Sequence, residues 1–157
     1  AWGRSEMPGK ADYVLAIFRD MEGLFEEGNK SVRPNVVIFN AVINACAYTF
    51  GDNAEQNRAI EISNLMFKEL EVSSYGNPDQ VTYGTFLKVC NNQMPSCDTR
   101  FRVVTAIFKK CTKDGQVGKL VLDQLKSVTT EEQFQELVGM SMERCVDWKV
   151  LPKNVRR

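Results

Sequence analysis

Histidine is absent from the 157 residues, so the commonest general base and metal ligand is unavailable. No Ser-His-Asp or Cys-His relay can be assembled, and no Gly-rich phosphate loop opens a helix. Cys46, Cys90, Cys97, Cys111 and Cys145 are odd in number, irregularly spaced and set among apolar residues. That setting predicts buried, reduced thiols. Without a Cys-x-x-Cys pair the chain lacks the close ligand spacing of a zinc site. Glu131, Glu132 and Glu136 fit the first turns of a helix, where carboxylates meet the positive end of the helix dipole. Met66, Met140 and Met142 fit core filler better than a binding stripe. These residues predict a protein that is not an enzyme and uses neither metal nor cofactor.

The composition is 43% hydrophobic and 25% charged, enough apolar material for a folded domain. The longest apolar runs, such as Val36-Val37-Ile38-Phe39, fall far below the ~20 residues of a membrane-spanning helix. Net charge is zero but unevenly distributed. Residues 1–80 carry 7 Lys/Arg against 12 Asp/Glu, and residues 81–157 carry 13 against 8. The C-terminal half is therefore the better candidate to meet phosphate, through Lys109, Lys110, Lys113, Lys119 and Lys126.

Apolar residues recur at helical spacing throughout, and no stretch alternates as a strand would. The chain is predicted all-α. Pro34-Asn35 and Pro78-Asp79 each end one segment and offer an N-cap for the next, giving helices over about 35–48 and 79–91. Longer amphipathic helices are predicted at about 10–27, 55–72 and 98–113. Asp114-Gly115 ends the last of these, with Gly115 suited to a left-handed terminus. A shorter helix over about 116–126 follows. Thr129 and Glu132 then form a capping-box pattern that opens a final helix through Phe134, Leu137, Val138 and Met142, and the chain leaves helix at Pro152.

These elements repeat. The segment from Pro34-Asn35-Val36-Val37-Ile38-Phe39-Asn40 to Cys46 aligns with Pro78-Asp79-Gln80-Val81-Thr82-Tyr83-Gly84 to Cys90, at an offset of 44 residues. A further step back sets Ala1-Trp2-Gly3 opposite Ala45-Cys46-Ala47, as if the chain begins at the tail of a preceding helix of the same kind. The Pro-Asn/Asp, Val-x-aromatic, apolar-Ile pattern resembles the opening of the pentatricopeptide repeat, a helix-turn-helix unit of about 35 residues. The 44-residue spacing exceeds that length, with the excess in loops near 48–54 and 73–77. The resemblance implies an α-solenoid of antiparallel helical hairpins. Its units are 1–34, 35–78, 79–118 and a partial repeat 119–126, with a capping helix and tail over 127–157.

In that family the first helices of successive hairpins line a concave surface and read single-stranded RNA at about one base per repeat. The resemblance makes Asn40 and Asp79 a base-reading pair of the uracil-preferring kind, with Val37 and Val81 flanking the base. The next repeat breaks the pattern. Gly84 holds the reader position with no side chain, and its partner would fall near Lys119, where no Pro-Asp precedes. Two functions therefore compete. The first is an organellar RNA-binding protein, mitochondrial or plastid, acting in RNA processing, stability or translation. The second is a protein scaffold within a large organellar assembly such as a ribosome or photosynthetic complex, favoured by zero net charge and the empty reader at Gly84.

Overall fold

The computed structural model describes residues 9–156. The helix tail expected at residues 1–3 lies outside them. Among the described residues there is no strand, and eight α-helices account for most of the chain. The first six are α1 (Lys10–Glu26), α2 (Val36–Ala47), α3 (Asn53–Val72), α4 (Gln80–Gln93), α5 (Asp98–Lys113) and α6 (Lys119–Val128). Then come α7 (Glu131–Val138) and α8 (Lys153–Arg156). None of them is long and apolar enough to cross a membrane.

The two Pro-Asn/Asp boundaries act as caps. Asn35 and Asp79 are extended, and their side chains accept the Ile38 and Thr82 N–H at 3.0 and 2.9 Å. Each takes up one of the amide donors that a helix start leaves open. Gly115 closes α5 at φ 68°, with its own N–H on the Thr112 carbonyl and that of Gln116 on the Cys111 carbonyl. This double closure takes Gln116 out of the following segment, so α6 starts at Lys119 and not at 116.

The C-terminal expectations need correction. Thr129 does not open α7; its hydroxyl donates to the Leu125 carbonyl at 2.6 Å and closes α6. Thr130 makes the capping box, accepting the Gln133 N–H while the Gln133 side chain accepts the Thr130 N–H. α7 stops at Val138, because Gly139 turns left-handed at φ 81°, and does not reach Met142. Pro152 does not end helix either. It precedes α8, consistent with the preference of proline for a helix start, and Leu151 and Val155 are buried in the core.

The packing follows the repeat. α2, α4 and α6 pack in sequence, α2 on α4 and α4 on α6, while α3 lies against both α2 and α4 and α5 lies against α4. Repeat-equivalent aromatics anchor the layers. Phe39 meets Phe18 edge-on at 4.8 Å, and Tyr83 meets Phe67 edge-on at 5.3 Å. Such pairs add about 0.5–1.5 kcal/mol beyond the apolar area they bury. Asp12–Arg58 and Arg19–Glu69 bridge α1 to α3 at 2.8 and 2.6 Å, and Glu71–Lys110 bridges α3 to α5 at 2.5 Å. Because residues 12 and 19 meet 58 and 69 in the same order, α1 and α3 run parallel. At the C-terminal end of α2, the buried Gln93 amide donates to the carbonyls of Cys46, Ala47 and Thr49, and Asn92 donates to Ala47. Carbonyls that the helix end cannot pair internally are thus answered from α4.

Candidate functional site

The groove where α2 meets α4 is lined by Val37, Asn40, Asp79 and Val81, four residues drawn from two repeats, with Leu120 of α6 forming part of its wall. The two valines are open to solvent, Val37 72% and Val81 41% exposed. Asn40, in the same lining, is nearly closed off, at 7%.

Asn40 is held by a network centred on Thr82. The Thr82 hydroxyl donates to Asn40 Oδ1 at 2.7 Å and accepts the Asp79 N–H at 3.0 Å. Asn40 Nδ2 donates to Asp79 Oδ1 at 3.2 Å, the same oxygen that accepts the Thr82 N–H. A carboxylate can only accept, so the amide must present its NH₂ side to Asp79, which fixes its orientation. Asp79 therefore serves both as N-cap of α4 and as partner of Asn40. The amide starts with two N–H donors and two lone pairs on its carbonyl. The network engages one of each and leaves one of each.

Gly84 does more than lack a side chain. A Cβ built on it would lie 2.8 Å from Leu120 Cγ, so the absent side chain is what lets α6 approach α4. The space that a side chain would occupy in the next repeat is filled by Leu120.

The lysines expected to meet phosphate do not gather on this groove. Lys110 is paired with Glu71 across α3 and α5, Lys119 with Asp123 one turn along α6 at 2.6 Å, and the Lys126 ammonium donates to the Cys145 carbonyl at 2.5 Å. Lys109 is exposed beside a cleft between α5, α7 and α8, and Lys113 is exposed in the last turn of α5. The charged residues lining the groove are Asp79 and Lys88. Thr82, Asn44, Lys88 and Leu120 are parts of the site that sequence reasoning missed. Two of them left a signal: Thr82 stands three residues after the cap Asp79, and Lys88 stands 44 residues after Asn44.

Away from the groove, burial governs the thiols and the phenol of the core. Burial pushes the Cys46, Cys90 and Cys111 thiols up to about 12, far from the thiolate form. Burial, followed by its hydrogen bond to Asp114, pushes the Tyr83 phenol well above its ordinary value. Among the described residues no group of three or more His, Cys, Asp or Glu is placed to hold a metal ion. No protein-family model, curated protein or solved structure matches the chain.

Proposed function

We propose that this chain is a section of a pentatricopeptide-type α-solenoid that binds single-stranded RNA in a mitochondrion or plastid, supporting RNA processing, stability or translation without catalysing a reaction. The observation that carries this reading is the meeting of Val37, Asn40, Asp79 and Val81 in one groove. Two exposed valines offer apolar surface to the faces of a base, and the Asn40 amide in the same groove has one donor and one acceptor that Asp79 and Thr82 do not take. That pair complements the N3–H and a carbonyl of uracil. It also complements adenine's N1 and amino group, so the preference for uracil rests on the resemblance and on the smaller pyrimidine ring between the valines. One such contact is worth about 1–3 kcal/mol of discrimination, enough for a base preference at one position and too little to define a long site.

Photocrosslinking of a 4-thiouridine-containing strand, followed by peptide mapping, tests the placement. The reading expects crosslinks within α2 and the first half of α4. Crosslinks confined to the Lys109–Lys113 face of α5 would overturn it. A second reading, a protein scaffold in a ribosome or photosynthetic complex, is favoured by the internal pairing of Lys110, Lys119 and Lys126 and by a groove lining in which Lys88 is the one cationic side chain. Phosphate-driven binding weakens steeply with salt, so absence of RNA binding even at low salt would favour the scaffold.

A further inference from the structure

We propose that Lys88 is the backbone-phosphate contact of this groove, and that the Tyr48 ring holds it in position to take the phosphate of a nucleotide neighbouring the base at Asn40. This inference rests on the RNA-binding reading above and adds to it a residue that no part of the repeat resemblance supplied.

The groove runs from Val37 and Asn40 at one end to Asn44 and Lys88 at the other. Asn44 lies one turn beyond Asn40 on α2, and Lys88 one turn beyond Gly84 on α4; at 1.5 Å per residue each step is about 6 Å along the helix. A base seated at Asn40 therefore leaves its sugar-phosphate chain within side-chain reach of Lys88. Asp79, the other charged residue of the lining, is at the opposite end and already engaged by Asn40 and Thr82. The charges divide the groove into an end suited to a base edge and an end suited to an anion.

Lys88 is also held in place. Its Nζ lies 5.2 Å from the centroid of the Tyr48 ring and donates to the Tyr48 hydroxyl at 3.3 Å. Contact with the ring face favours the cation, and the hydroxyl takes one of three ammonium protons, leaving donors for a phosphate oxygen. Tyr48 is itself fixed as the residue that caps α2, where its carbonyl accepts from Lys10 Nζ at 2.9 Å. A lysine steadied in this way loses less side-chain freedom on binding than one waving in solvent. By contrast Lys110, Lys119 and Lys126, singled out by the sequence, are occupied elsewhere.

The test is a salt titration of binding to a uridine-rich single strand for the full chain and for Lys88→Gln, Lys88→Arg and Lys113→Gln, with an adenine-rich strand alongside. Loss of one phosphate contact lowers the slope of log affinity against log salt by about 0.7 for a single strand. Lys88→Gln is expected to show that fall and to weaken both strands by the same factor, because a phosphate contact carries no base information. Lys88→Arg should keep the slope, which shows that charge is what matters and that the fold is intact. Lys113→Gln should leave it unchanged. If the uridine preference is present and is lost in Asn40→Ala while the Lys88→Gln slope equals that of the parent, this inference is overturned and the RNA-binding reading stands. If the parent chain binds neither strand at any salt, both fall together.

Discussion

Thr82→Val removes one hydroxyl and almost no volume, so it isolates the hydrogen bonding that joins the two repeats. Thr82 is fully buried. Its hydroxyl gives its proton to Asn40 and receives the Asp79 N–H. Valine would leave the carbonyl oxygen of the nearly buried Asn40 without this donor, which costs about 1–3 kcal/mol, and would lose the reciprocal half of the α4 capping box, about 0.5–1.5 kcal/mol. No cavity contribution enters, since valine fills the same space. The expected loss is about 2–3 kcal/mol, a fall in Tm of about 5–10 °C for a chain of this size. Urea and thermal unfolding followed by circular dichroism would measure it, with Thr82→Ser as the variant that keeps the hydroxyl and should cost less. Adding Asn40→Leu to the Thr82→Val variant should recover part of the loss, because an apolar pair leaves no orphaned acceptor. The double-mutant cycle is then expected to show coupling of about 1 kcal/mol or more. A Thr82→Val cost below ~0.5 kcal/mol, the scale of an ordinary surface change, would show that the Thr82 hydroxyl does not hold Asn40 and the α4 cap together.

Three further outcomes follow from the packing. Gly84→Ala should gain up to ~1 kcal/mol of helix propensity but lose about 1–3 kcal/mol by pressing on Leu120, a net destabilisation; in a Leu120→Ala background the same change should become stabilising, and no change of sign would contradict the close approach of α4 and α6. In native thiol labelling at neutral pH, Cys97 should react promptly while Cys46, Cys90, Cys111 and Cys145 stay protected until unfolding, since only Cys97 is exposed; rapid labelling of Cys46 would count against the core. Stability should fall as pH rises above about 9, because the unfolded chain releases thiol protons near the ordinary value of 9.0 while the folded chain holds them to about 12. Urea midpoints measured between neutral and alkaline pH test this. The folded Tyr83 phenol, raised above 10.0, should deepen the loss at the alkaline end, and Tyr83→Phe should shallow it there. A flat profile would contradict both.

The helices that carry the repeat were legible because each signal is local. Pro34-Asn35 and Pro78-Asp79 stop one helix and cap the next within two residues, and apolar periodicity does the rest. The start of α7 is ambiguous for a reason equally local: Thr129 and Thr130 each have a Glu or Gln three residues on, and sequence cannot show that Thr129 is already bonded back to Leu125. Tertiary relations were harder to see. Gly84 looks like a missing reader until Leu120, in a helix without the repeat signature, is found against it. Asn40 and Asp79 are paired in the resemblance and bond directly, yet Thr82 binds to both as well, visible only as an Asp-x-x-Thr capping pattern whose threonine also reaches across to α2. Charge asymmetry pointed to the lysines of α5 and α6, because a count along the chain cannot know which ammonium groups are answered by Glu71, Asp123 or the Cys145 carbonyl.

The base-reading edge proposed for Asn40 and Asp79, flanked by Val37 and Val81, is tested by comparing affinity for a uridine-rich and an adenine-rich single strand in the parent chain and in Asn40→Ala, at low and moderate salt. The expected result is a preference for the uridine-rich strand that persists as salt rises and disappears in Asn40→Ala, while the salt-dependent part of the affinity remains. Equal affinity for the two strands in the parent chain, or a preference unchanged by Asn40→Ala, would contradict it.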